Sequence, residues 1–161
     1  MTVADRLAER GLVLPVVAAP VGAYLPAVRS GALVHTSGQL PFIAGELPAT
    51  GIVGGAVTPQ TAQHLAATAA LNAVAAVAAL LAEETGEEPA VALERVTRVV
   101  KVVGFVASDP SFTGQPGVVN GASQLLGDLF GDAGRHARSA VGVAVLPLGA
   151  PVEVEIVVET R

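Results

Sequence analysis

The chain has 161 residues, 52% of them hydrophobic and 14% charged, with a net charge of −5. That length suits one domain with a real core, and charge is scarce against a usual ~25%, so the surface is expected to be covered in part by copies of the chain itself. The absence of cysteine excludes disulfides, thiol nucleophiles and Cys metal sites and fits a reducing cytoplasm, while an acidic balance with one lysine (Lys101), one Tyr and no Trp leaves neither a basic footprint nor a stacking surface for nucleic acid.

The opening stretch "MTVADRLAERGLVLP" reads as a short polar helix; it has no basic segment running into an apolar one, as a secretory signal would. "AYLPAVRSGALVHTSGQLP" then gives two short extended runs joined by "RSG", with Gly31 available for positive φ. A Gly/Pro-rich loop, "AGELPATGIVGGAV", leads to Thr58-Pro59, an N-cap followed by proline at the first helical position. The helix so opened is expected to run to about Glu84 and to stop before Gly86, with Leu71, Val74, Ala78 and Leu81 on the face laid against a sheet. Part of it, residues 66–82, imitates a membrane span. It is mostly alanine, however, and is flanked by His64, Glu83 and Glu84, so a buried core helix is the expectation and no membrane partner is assigned.

Residues 93–108, "LERVTRVVKVVGFVAS", begin as a helix-end connection and become a β-branched strand. A second helix is expected over Gln115 to Phe130, ending at Gly131. Two strands, about 138–146 and 151–159, close the chain around "PLGAP". The order β-β-α-β-α-β-β predicts an α+β fold: one sheet with two helices on one face, the other face left for neighbouring subunits.

Few groups suggest chemistry. His35, His64 and His136 lie on separate elements without ligand spacing, so no metal site is assigned. "GIVGG" makes neither a GxGxxG turn after a strand nor a P-loop. Ser37, in "TSGQ", lacks any nucleophile pattern; it either satisfies a strand end or contacts a ligand. Arg138 and Glu153 remain, polar residues in the apolar run "HARSAVGVAVLPLGAPVEVEI". Folded as a hairpin about residues 148–149, this run sets Glu153 opposite Ala144 and Arg138 opposite Glu159. Arg138 and Glu153 then share a face at roughly 20 Å. Either Arg138 pairs with Glu159 as an exposed ion pair of little worth, or Arg138 and Glu153 cooperate, through a bulge that shortens the path or across a subunit boundary.

The segments "GAYLPAVRSGALVHTSGQLP", "LNAVAAV", "VVKVVGFVAS", "VNGASQLLGDLFG" and "HARSAVGVAVLPLGAPVEVEI" occur in the order seen in the Rid family. Over residues 20–159 the chain resembles these reactive intermediate deaminases, also called YjgF-type or L-PSP endoribonuclease-like proteins. The longer N-terminus and the "LPATGIVGG" loop resemble a longer Rid-like subgroup. The likeness implies one domain spanning 1–161, with 1–19 as an N-terminal extension. It also implies a chorismate-mutase-like α+β subunit, a homotrimer with clefts between subunits, and hydrolysis without metal or cofactor of enamine/imine intermediates such as 2-aminoacrylate to 2-keto acids and ammonia.

Carried over by position, Arg138 matches the arginine that holds the substrate carboxylate, and Glu153 the glutamate that positions or activates water. Tyr24, Ser37, Gly38 and Asn120 match cleft-lining residues. Ala140 and Gly142 stand where archetypal members often have Cys and Glu, and Gly142 in particular would widen or neutralise the cleft. Glu155 is the alternative acid, on the same face as Glu153. The expected function is therefore a cytoplasmic deaminase of small 2-imino acids. A trimeric carboxylate-binding module without turnover is the alternative, and ribonuclease comes last.

Overall fold

Val, Ile and Thr supply half of the strand residues, and alanine is the commonest residue of the longest helix, a division that follows χ1 freedom. A computed structural model describes residues 1–17, 19–20 and 22–161. In chain order the described residues form α1 (Val3–Glu9), β1 (Ala27–Ser30), β2 (Leu33–Thr36), α2 (Pro59–Thr85), α3 (Pro89–Ala92), β3 (Val96–Ala107), α4 (Gln115–Phe130), β4 (Ala137–Val143) and β5 (Val152–Thr160). The five strands make one sheet in the order β1-β2-β5-β3-β4, with α2 and α4 on one face. This is the expected α+β fold.

Local signals were obeyed where they were strong. Thr58 accepts from the Thr61 N–H to cap α2, Gly86 ends it in the left-handed region (φ 73°), and Gly31 turns the β1–β2 hairpin at φ 61°. α2 is long and apolar enough to cross a bilayer, yet it packs on the sheet with α4 beside it, and Ala66, Ala69, Ala70, Ala73, Val74, Val77, Ala78 and Leu81 are buried. Burial reaches more than the single face expected from periodicity, and Leu71 is only half-buried. The small alanine side chains let a second helix approach as closely as the sheet does. Gly121 of α4 completes that approach, because a Cβ there would overlap the Gln63 carbonyl. Gly104 of β3 likewise admits Val119 of α4, which occupies the space of its missing side chain.

The closing hairpin expected from the sequence is not formed. β4 and β5 do not pair; β3 lies between them, antiparallel to β5 and parallel to β4. The "PLG" turn carries a single 3₁₀ turn with Leu148 at φ 60°, and Ala150 and Pro151 are buried as the chain passes across the end of β3. Arg138 therefore neighbours Val102, not Glu159, and Glu153 neighbours Phe105, not Ala144. Val102 and Phe105 differ in parity, so Arg138 and Glu153 project from opposite faces of the sheet. The reading that put them on one face, or paired Arg138 with Glu159, is overturned. Their Cα atoms stand two strands and three residues apart, about 14 Å from strand geometry. The β4–β5 connection has the Pro/Gly composition of a hairpin, but β3 offers β-branched partners on both edges and wins the central place.

α1 is fastened to the body: Arg6 donates to the Leu129 carbonyl (3.1 Å), Arg10 pairs with Asp128 (2.8 Å), and Val3 and Leu7 are buried.

Candidate functional site

β5 alternates strictly. Val152, Val154, Ile156 and Val158 are buried toward α2, leaving Glu153, Glu155 and Val157 on the uncovered face. Just beyond β2, Gln39 exchanges both backbone bonds with Val154 (2.8 and 3.0 Å). That pairing brings Gly38 onto the Glu153 side chain, where a Cβ would overlap the carboxylate. Gly38 is thus needed for space rather than for backbone freedom. The Ser37 hydroxyl donates to the Leu25 carbonyl (2.6 Å) and its N–H to Pro26 (2.8 Å), tying the segment that carries Tyr24 to this corner. Tyr24 and Gly38 line one small cleft with Pro26, Leu40 and Phe42, about 60 Å³. Among the described residues no hydrogen bond or ion pair reaches the half-buried Glu153 carboxylate. Burial first, and then the charge of Glu155, push its pKa up.

The second cluster is built by α4 on the covered face. Arg138 of β4 rises beside the helix, and its Nη1 donates to Asn120 Oδ1 (2.8 Å) and Ser123 Oγ (3.2 Å) while Nη2 donates to the Pro116 carbonyl (3.2 Å). Three neutral acceptors hold the guanidinium without neutralising it, and two of its five N–H donors remain for an anion. Ala140 packs against the core. The space over Gly142 is taken by Gln115: a Cβ there would lie 2.8 Å from its Nε2, which donates to Phe112 O (2.7 Å) and Ser108 Oγ (3.2 Å). The strand position lacking a carboxylate is therefore faced by a fixed neutral amide.

The expected site residues thus form two groups. Tyr24, Ser37 and Gly38 gather near Glu153; Asn120, Ala140 and Gly142 gather near Arg138; the sheet lies between. His35 and His64 are exposed on other elements, and among the described residues no three His, Asp or Glu side chains converge as a metal would need. Gln115, Ser123 and His136 were missed by sequence reasoning. Ser123 follows Asn120 by three residues, hence the same helix face. Gln115 precedes a helix-opening proline. Both spacings are visible without a structure.

Known proteins share this fold. A family model described as "YjgF/chorismate mutase-like, putative endoribonuclease" matches residues 4–160. Protein TCP17 of Trypanosoma cruzi is 46% identical over 160 residues, 98% of this chain and 93% of that protein. The crystal structure of Atu1372 from Agrobacterium tumefaciens, a protein of unknown function, superposes with TM-score 0.87 at 43% identity, covering 99% of this chain and 92% of the other. The YjgF gene product of Escherichia coli is more distant, with TM-score 0.57, 26% identity, and 90% and 94% coverage.

Proposed function

The chain belongs to the YjgF/chorismate mutase-like family, and from that premise we propose that it is a hydrolytic deaminase of small enamine/imine acids of the 2-aminoacrylate type, its site assembled between neighbouring subunits of a homotrimer. The observation that carries this reading is the opposed orientation of Arg138 and Glu153. Two groups held about 14 Å apart on opposite faces cannot serve one small substrate within a chain. They can serve it when the Glu153 face of one subunit closes over the Arg138 edge of the next.

Each group suits its task. Arg138 is already oriented by Asn120, Ser123 and the Pro116 carbonyl, so its free donors bind a carboxylate with little ordering cost. The Glu153 carboxylate, raised in pKa by burial, holds a proton more readily than an exposed glutamate. The enamine tautomerises to the imine, and water oriented by Glu153 adds to C2, its proton passing to the Glu153 carboxylate and from there to the nitrogen. The carbinolamine C–N bond then breaks as the hydroxyl gives up its proton, the nitrogen leaves as ammonia and the keto acid remains. No electrons are exchanged and no metal or cofactor is required.

The test is complementation. Arg138→Ala and Glu153→Gln are each expected to be inactive in releasing keto acid from aminoacrylate generated by a dehydratase. Subunits of the two, mixed and reassembled, should regain about a quarter of wild-type activity, because a random ring pairs the two intact groups at one site in four. Mixtures as dead as their parents would sink the shared site.

The fixed amide of Gln115 over Gly142 favours a second reading, a carboxylate-binding module without turnover. It predicts calorimetric binding of 2-ketobutyrate that is lost in Arg138→Ala, together with keto-acid release no faster than the uncatalysed rate.

A further inference from the structure

Behind Arg138 runs a chain of hydrogen bonds that the chemistry above does not use. The His136 Nδ1 lies 2.6 Å from the Gly134 carbonyl, and its Nε2 lies 2.9 Å from Ser123 Oγ. A carbonyl can only accept, so Nδ1 carries the proton and Nε2 of the neutral ring presents a lone pair. The Ser123 hydroxyl must then donate to Nε2. With its hydrogen committed there, its oxygen lone pairs are turned toward Arg138 Nη1, 3.2 Å away.

The anchor of the chain is itself fixed. Gly134 is buried, and a Cβ on it would overlap the Leu126 carbonyl of α4, so its own carbonyl has little freedom to move. Without His136 the hydroxyl of Ser123 is free to turn its hydrogen toward the guanidinium, replacing an acceptor by a repelling donor.

We propose that Ser123 and His136 are positioning residues for carboxylate binding: His136, its tautomer set by Gly134, orients the Ser123 hydroxyl, which in turn fixes the guanidinium of Arg138. The proposal rests on the reading of Arg138 as the carboxylate anchor. His136 reaches the substrate only through Ser123.

The two amide replacements of histidine separate the links. Asn at 136 can keep a donor for the Gly134 carbonyl but is too short to reach Ser123; Gln places an acceptor where Nε2 was. Calorimetric titration of the wild-type protein and its variants with 2-ketobutyrate at pH 8 reads the result. Ser123→Ala and His136→Asn should each weaken binding about 5–10-fold, the size of one ordinary hydrogen bond. The double variant should be no weaker than Ser123→Ala alone, and His136→Gln should bind within about twofold of wild type, a difference well under 1 kcal/mol. In turnover the same variants should raise KM while leaving kcat nearly unchanged.

Wild-type affinity in Ser123→Ala, multiplying effects in the double variant, or no recovery in His136→Gln would each overturn the relay. Arg138→Ala run alongside separates the two readings. If it loses binding while the Ser123 variant does not, only the relay falls; if it binds normally, the carboxylate anchor falls and the relay with it.

Discussion

The two faces of the sheet are built on different principles. On the covered face every element is pressed to its limit: Gly121 meets the Gln63 carbonyl, Gly104 meets Val119, and Arg138 is held by three acceptors. On the other face Glu153 has room only because Gly38 lacks a side chain, no partner reaches its carboxylate among the described residues, and Val141, beside Phe105, is 44% exposed. The Arg138 half of the proposed site is finished within the chain. The Glu153 half is left open, as the proposal of a site shared between subunits requires.

Glu153→Gln should break the contrast most severely. It is expected to lower kcat by about 10²–10⁴-fold, the usual contribution of a positioned acid or base. The same change should raise Tm, because it removes a charge that burial disfavours. A carboxyl whose pKa is raised by folding is most stabilising when protonated. The wild type should therefore lose stability as pH climbs from the ordinary glutamate value through the raised folded one, and Glu153→Gln should be flat across that window. Urea melts at several pH values would read both.

The next effects compare two glycines. Gly121→Ala drives a methyl into backbone, which cannot step aside, and should destabilise by about 2–3 kcal/mol, read as a lower urea midpoint at unchanged m. Gly38→Ala meets only the end of the Glu153 side chain, which can swing away. It should leave Tm nearly unchanged while lowering kcat about 10–100-fold through a misplaced carboxylate. Equal losses of stability in the two variants would erase the distinction between the faces.

The smallest effect lies at the hairpin edge. Arg29 pairs with Glu84 at 2.6 Å, and its hydrogen bond holds the Glu84 carboxyl below the usual carboxylate range. That stability is present above the ordinary pKa and is lost as pH falls through the lowered one. Glu84→Gln should cost about 0.5–1 kcal/mol at neutral pH and almost nothing near pH 2.

Local chemistry and the β1–β2 hairpin were legible; the order of the remaining strands was not. Thr58-Pro59, Gly86, Gly31 and the Gln115–Phe130 helix lie where composition and capping put them, since each depends on a few adjacent residues. Strand alternation also correctly put Glu153 and Glu155 together. The insertion of β3 between β4 and β5 is a contest among Val-rich strands of similar preference, and no short-range signal decides it. The site inherited that error: residues matched to the family by position were separated wrongly in space, and the polar residues that steady Arg138 lie on a helix read only for its apolar face.

The sheet order has a consequence for how the molecule comes into being. β5, the segment nearest the C-terminal end of the chain, is the central strand that joins the β1–β2 hairpin to the β3–β4 pair. Until Val152–Thr160 is available, the two outer portions have no shared hydrogen-bond ladder, and Val34, Val99 and Val102 lack their β5 neighbours Val158 and Ile156. About half of the sheet's pairing therefore arrives in one late, long-range step, which slows assembly and leaves unpaired strand edges exposed while synthesis proceeds.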